Sequence, residues 1–236
     1  MGNKVAPIGF RLGPVYTWTS RWFASGKRYR ELLLEDTKLR EALLKKLKPA
    51  GIARVEIDRS INKVMVTVFV ARPGVVIGRG GQGMEDLKKY VLGFVPGAKN
   101  SKDQIKLDLR VEPVKEPAID AYLVAVNVAD QLIRRMPPKR IMKKAVESAM
   151  NAGAKGIRIR LGGRINGAEI ARVEKEQDGV IPLSTIKEKI DFAAYPALTK
   201  SGYIGIKVWI CLPKDMVMSR QGNYELKPDE SKEKVN

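Results

Sequence analysis

Apolar residues recur at helical spacing over residues 37–47, at Leu39, Leu43, Leu44 and Leu47, and Pro49 and Gly51 close the stretch. The period then changes to two. Ala53, Val55 and Ile57 alternate with Arg54, Glu56 and Asp58, which predicts a half-buried strand. A turn around Ser60 and Asn62 leads to a second strand, with Val64, Val66, Val68 and Val70 on one face and Arg72-Pro73 at its end. A glycine-rich stretch follows. Met84, Leu87, Tyr90 and Val91 then form a helical stripe that stops near Pro96-Gly97. Ile105, Leu107, Leu109 and Val111 alternate with Lys106, Asp108 and Arg110 as a third strand.

Residues 113–117 carry two prolines and predict a linker. Beyond it lie two helices, 119–135 and 138–151, and then strands. Ile157, Ile159 and Leu161 alternate with Arg158 and Arg160, residues 168–176 and 186–194 are extended with weaker alternation, and Ile204, Ile206, Val208, Ile210 and Leu212 form the clearest strand. Helices followed by a run of strands predict an α+β unit, with two helices packed on a mostly antiparallel sheet. The tail, 214–236, has few large apolar residues and is expected to be disordered.

Charge changes the picture. The 236 residues hold 44 Lys and Arg against 26 Asp and Glu, a net +18. The tail carries five of each sign, so the whole surplus belongs to residues 1–213. Such an excess points to a polyanionic partner, nucleic acid first and an anionic membrane surface as the rival. No run of 18 apolar residues is present to span a bilayer. The first residues, MGNKVAPIGFRLG, lack the apolar core of a secretory signal, and Ala6 stands where a myristoylation motif needs Ser or Thr. With one cysteine, Cys211, and no histidine, disulfides, Cys/His zinc sites and histidine-based catalysis are excluded. No cofactor, no metal and no enzymatic activity are expected.

The stretch GVVIGRGGQG, 74–83, admits two chemistries. As G-x-G-x-x-G it matches a dinucleotide fingerprint, which requires its first glycine at the end of a buried strand and an acid at the far end of the next strand. Here four residues intervene after Arg72-Pro73 and Gly74 opens them, and Asp103 stands before its strand rather than after it. No glycine is followed by Lys-Ser or Lys-Thr, so a P-loop fails as well. The stretch instead has the form of the Ile-Gly-x-x-Gly turn of a KH domain, in the variant that begins with a helix. Glycines at 78 and 81 admit a sugar-phosphate backbone, and Gly80 and Arg79 complete the clamp. Ile77 and Val68 are expected to floor a groove for bases. A glycine turn without ligand is the plain alternative.

A second constellation is RRMPPKRIMKK, 134–144, with six cations and no acid. On a helix from Pro138, Lys139, Arg140, Lys143 and Lys144 share one side, and Met142, Ala145, Val146 and Ala149 the other. Cations in the first turn oppose the helix dipole, so a sequence chosen for helix stability alone would place acids there. A bound polyphosphate reverses the sign of that cost. Arg158, Arg160 and Arg164 form a third group, either a phosphate surface or the wet side of a sheet. Near the N-terminus, Arg11, Tyr16, Trp18, Arg21, Trp22, Phe23, Lys27, Arg28, Tyr29 and Arg30 mix rings and cations. The rings are expected to pack on the body of the protein, with the cations outward.

Four stretches together resemble the bacterial-type ribosomal protein three family of the small subunit: PIGFRLG at 7–13, ARPGVVIGRGG at 71–81, GAKGIRIRLGGRINGAEIAR at 153–172 and IGIKVWI at 204–210. The resemblance implies an N-terminal arm and helix (1–36), a type II KH domain (37–113), a family-specific α+β domain (114–213) and the tail. It implies a place in the head of the small subunit on 16S-type rRNA, in the bacterial cytoplasm, beside ribosomal proteins ten and fourteen, with four and five where mRNA enters. Lys139, Arg140 and Lys143 match the basic helix that in this family lines the mRNA entrance and is associated with unwinding; Lys144 extends it. Further candidate rRNA contacts are Lys4, Arg11, Arg21, Arg72, Arg158, Arg160 and Arg164. Ala6 replaces a frequent histidine, and Arg79-Gly80 a frequent pair of lysines, which leaves the clamp one cation fewer.

Overall fold

The computed structural model describes residues 4–60, 63–94, 106–213, 216–218 and 224–226. The expected turn at Asn62, helix stop at Pro96-Gly97, first strand residue Ile105 and most of the tail lie outside them. The chain divides into two compact units, one formed by residues 18–114 and the other by 1–17 with 115–236.

The helix α1 (Pro7–Phe10) belongs to the second of these units. The first runs β1 (Ser20–Arg21), α2 (Gly26–Lys46), β2 (Ile52–Arg59), β3 (Lys63–Val70), α3 (Pro73–Ile77), α4 (Gln82–Leu92) and β4 (Lys106–Pro113). Its sheet has the order β1-β2-β3-β4, with β2 and β3 antiparallel and β3 and β4 parallel. A parallel partner needs a crossover, and α3 and α4 supply it. Leu39 and Leu43 of α2, Val76 of α3 and Leu87 and Val91 of α4 close on Val55, Ile57, Val64, Val66, Val68 and Val70. The register shifts between Ile52 and Arg54, which puts Ile52 rather than Ala53 in this core.

The helix expected over 37–47 begins eleven residues earlier, so a boundary at 36/37 would cut through α2. A buried ion pair anchors the end of the added segment. Asp36, nearly inaccessible, accepts from Arg59 Nε at 2.9 Å and from Trp22 Nε1 at 2.8 Å, and Glu35 pairs with Arg59 at 3.0 Å. These partners are far apart in sequence and leave no local periodicity.

Besides α1, the second unit contains α5 (Ala121–Ile133), α6 (Pro138–Asn151), β5 (Gly156–Gly163), β6 (Arg172–Gly179), β7 (Ile190–Thr199) and β8 (Gly202–Cys211). The order β6-β5-β8-β7 is antiparallel throughout. Both long helices pack their apolar stripes, including Val124, Val128, Ile141, Met142 and Val146, against Ile157, Ile159, Leu161, Ile206 and Val208. Asp120 caps α5, accepting from the Tyr122 and Leu123 N–H groups at 3.0 Å each. A smaller cluster of Ile181, Ile190, Trp209 and Cys211 forms beside the main core. In the tail, Met216–Met218 (β9) pairs with Tyr224–Leu226 (β10) antiparallel, where the sequence predicts no structure.

Candidate nucleic-acid interface

In the first unit, α3 separates β3 from the glycine turn, so Gly78 follows a short helix and not a strand. This is the context of a KH turn and removes the dinucleotide reading. Gly78, Gly80 and Gly81 have φ of 69°, 63° and 80°, the left-handed region where glycine carries no steric penalty. Gly78, Arg79 and Gly80 are exposed. Gly83 has a different task. A Cβ there would run into the Val76 and Ile77 carbonyl oxygens, the latter at 2.9 Å, so it lets α4 approach α3.

Val68 does not floor a groove: it is fully buried in the core, because the whole Val64–Val70 face of β3 is covered by helices. The apolar surface beside the turn is instead Val75 and Ile77, 57% and 42% exposed. Val75 is missed by the sequence reading, although a short helix that buries one residue, Val76, must turn its neighbours outward.

In the second unit, α6 begins at Pro138 with Pro137 as an N-cap that makes no side-chain bond and no acid in its first turn. Lys139, Arg140, Lys143 and Lys144 are all exposed, while Pro138, Ile141, Met142, Val146 and Ala149 are buried. Among the described residues, no ion pair or side-chain hydrogen bond engages those four cations. Lys139 and Arg140 stand beside helix N–H groups that already favour an anion, and Lys143 and Lys144 continue the charge one turn on.

The sequence reading also misses Arg135. The Met136 N–H bonds the Gln131 carbonyl at 3.2 Å and the Arg135 N–H bonds the Leu132 carbonyl at 2.9 Å, the double closure that ends a helix on a left-handed residue. Arg135 takes that position with φ 60°, where glycine is usual; a side chain there costs about 1–2 kcal/mol. The signal was present in the sequence: Arg134-Arg135 ends a helix with no glycine to close it.

The remaining candidates sort by burial. Arg11 is not a nucleic-acid contact. It is fully buried and donates to the carbonyls of Glu188, Pro7, Pro182, Leu183 and Thr185 at 2.7–3.2 Å, which ties the chain's start to the segment before β7. Arg21 is committed to its own unit through Asp58 at 2.6 Å and Glu56 at 2.9 Å; the hydrogen bond to Asp58 holds its guanidinium above the usual range. Arg158 is half-buried and donates to Gln177 at 2.7 Å. Lys4, Arg72, Arg160 and Arg164 are exposed. Of the rings expected to pack, Tyr16 is buried and Trp22 is half-buried against Tyr29, but Phe23 is 94% and Trp18 68% exposed. Each lies in a connection outside the helices and strands. Cys211 is buried, and burial pushes its thiol above the usual range, as suits a packing residue and not a nucleophile. Among the described residues, no cluster of carboxylates and thiols could hold a metal, and no helix is long and apolar enough to cross a membrane.

A mixed sheet that, after the two-residue β1, runs helix, strand, strand, with a glycine turn between α3 and α4, followed by two helices on an antiparallel sheet, defines a KH-domain protein with a second α+β unit. Family models agree with both halves: "KH domain" matches residues 38–118, and "Ribosomal protein S3, C-terminal domain" matches 128–210. The chain is similar to the small ribosomal subunit protein uS3 of Gluconobacter oxydans (strain 621H), 50% identical over 210 residues that cover 89% of each chain. It is likewise similar to the uS3 proteins of Legionella pneumophila (strain Corby), 47% identical over 89% of this chain and 92% of that one, and of Hydrogenovibrio crunogenus (strain DSM 25203 / XCL-2), 44% identical over 89% of each. The chain belongs to the family of small ribosomal subunit protein uS3, which is not a family of enzymes.

Proposed function

We propose that this protein is a structural constituent of the small-subunit head in the bacterial cytoplasm, that it binds 16S-type rRNA, and that it grips mRNA where the message enters. The grip is electrostatic and needs no nucleotide hydrolysis by this chain. Phosphates engage Lys139, Arg140, Lys143 and Lys144 on α6, and a further RNA segment engages the turn at Gly78, Arg79, Gly80 and Gly81. Lys4, Arg72 and Arg160 add exposed charge for rRNA, and the exposed Arg164 adds charge for RNA beside α6. Ribosomal proteins ten and fourteen are the proposed neighbours in the head, with four and five beside the mRNA entrance.

The observation that carries this reading is the first turn of α6. Its exposed cations oppose the helix dipole, and no acid among the described residues balances them. Family membership supplies the ribosomal setting. The test is a small subunit reconstituted with the Lys139→Ala, Arg140→Ala protein. It should assemble and translate an unstructured message at the normal rate, and slow on a message with a stable hairpin downstream. Normal progress through the hairpin would overturn the mRNA part of the reading.

A further inference from the structure

The second unit encloses a cleft of about 420 Å³, within the range of roughly 300–1,000 Å³ typical of ligand sites. Its wall comes from the end of α5, the start of α6 at Pro138, the turn after β5 and the connection from β7 to β8. Three cations line it, Arg135, Arg164 and Lys200, and no acid does.

Two observations set this cleft apart from a solvated groove. Among the described residues, the non-glycine positions with positive φ are Arg135 and Asn166, at 60° and 58°, and both line it. Asparagine adopts this region readily, so the strain falls on Arg135, and strain that a fold maintains at one residue motivates a functional reading there. For Arg135 the strain is specific, because glycine would close α5 without penalty and its side chain has no hydrogen bond or ion pair among the described residues. The second observation is orientation. Arg164 Nε donates to the Ala168 carbonyl at 2.8 Å, which fixes the guanidinium and leaves its terminal nitrogens without a partner among the described residues. Nearby, a Cβ on Gly167 would stand 3.2 Å from the Ser201 hydroxyl, so the absence of a side chain there keeps that hydroxyl uncrowded.

We infer that the cleft seats one nucleotide of a single-stranded RNA, with its phosphate taken by Arg135, Arg164 and Lys200 and its sugar or base edge met by Asn166 and Ser201. The inference rests on the RNA-binding reading of α6 given above. RNA is favoured over a free anion by continuity. Pro138 lines the cleft and the next residues, Lys139 and Arg140, are the exposed cations of the same helix, so one strand crossing the first turn of α6 reaches both. Planar guanidinium groups also suit a phosphate better than a point charge would.

The test is a titration of the full-length ¹⁵N-labelled chain with a single-stranded RNA hexanucleotide, followed by amide shifts. The expected result is movement at Asn166, Gly167 and Ser201 together with Lys139 and Arg140. Arg135→Gly should weaken binding about fivefold at ~0.1 M salt, the counterion contribution of one single-strand phosphate contact, without lowering the thermal midpoint. Movement at Lys139 and Arg140 with a silent cleft would overturn this inference and leave the RNA reading standing. Silence at both would remove the RNA reading and the cleft with it. Inorganic phosphate reproducing the cleft shifts in full would make it a free-anion site and overturn the assignment to RNA.

Discussion

Replacing Lys139 and Arg140 by alanine should change two properties in opposite directions. Binding to single-stranded RNA falls. Each cation withdrawn from a phosphate takes about 0.7 off the slope of log affinity against log salt, so the pair takes off about 1.4. With the 1 M intercept unchanged, affinity at ~0.1 M salt drops about 25-fold, or about 1.9 kcal/mol. Stability of the second unit rises. Both side chains stand in the first turn of α6, which holds no acid, and removing a cation from that position recovers about 0.3–1 kcal/mol. Two of them raise the thermal midpoint by a few degrees, at about 2–4 °C per kcal/mol for a chain of this size.

The pair Lys143→Ala, Lys144→Ala is the control. It removes the same charge from the same exposed side, but beyond the first turn, where the dipole term has decayed. It should flatten the salt slope by the same ~1.4 and leave the midpoint unchanged. The measurements are differential scanning calorimetry and fluorescence anisotropy of a labelled oligonucleotide between about 50 and about 200 mM salt, where phosphate binding is steeply salt-dependent. If the first variant melts lower than the unmodified chain, or if its slope is unchanged, the cations of the first turn are structural and the dipole argument fails.

Three further substitutions test the fold beneath the interface. Gly83→Ala should cost about 3 kcal/mol in urea denaturation, because its Cβ meets the Val76 and Ile77 carbonyls, the latter at 2.9 Å, whereas Gly80→Ala meets open space and bears only the strain of its φ of 63°, about 1–2 kcal/mol. A larger loss at Gly80 would reverse the roles given to the two glycines. Asp36→Ala strands the buried Arg59 guanidinium and should cost about 3 kcal/mol, the low end for a broken buried pair since Glu35 remains at 3.0 Å; a loss below about 1 kcal/mol would mean that Arg59 finds water. Arg11→Met leaves the carbonyls of the 181–188 segment short of donors and should cost more than about 2 kcal/mol while the RNA salt slope stays unchanged. A slope flattened by about 0.7 would restore Arg11 as a phosphate contact.

Most of the fold is legible where one face of an element is buried and the other wet. The alternation of β2, β3, β4, β5 and β8 and the apolar stripes of α5 and α6 are each sufficient to place the element, because burial by a single neighbouring layer writes a period into the chain. The elements that sequence misplaces lack that asymmetry. β6, read as 168–176, lies at 172–179 and is an edge strand of almost wholly polar residues, RVEKEQDG, with both faces largely exposed. β7, read as 186–194, lies at 190–199 and runs through Pro196, which a central strand would exclude and an edge strand tolerates. β1 is two residues held parallel to β2 at Ser20 and Arg21, a long-range pairing with no local trace.

The interface divides along the same line. Composition establishes the sign of the charge and motif spacing places the glycine turn, but neither separates a cation that faces a partner from one that holds the protein together. Arg11 and Lys139 look alike in sequence, each a basic residue near a proline and an apolar run. Apart from that of Pro7, the carbonyl oxygens that enclose Arg11 come from more than 170 positions away, so its role is decided by residues that no window around it contains. Lys139 is proposed to face a partner on a local ground: the helix that carries it would be more stable without it, and that cost is visible from the turn alone. A local penalty is thus a trace that a proposed site can leave in a sequence, and Arg135, an arginine where a helix end favours glycine, bears the same kind of penalty as Lys139, whereas Arg11 bears none.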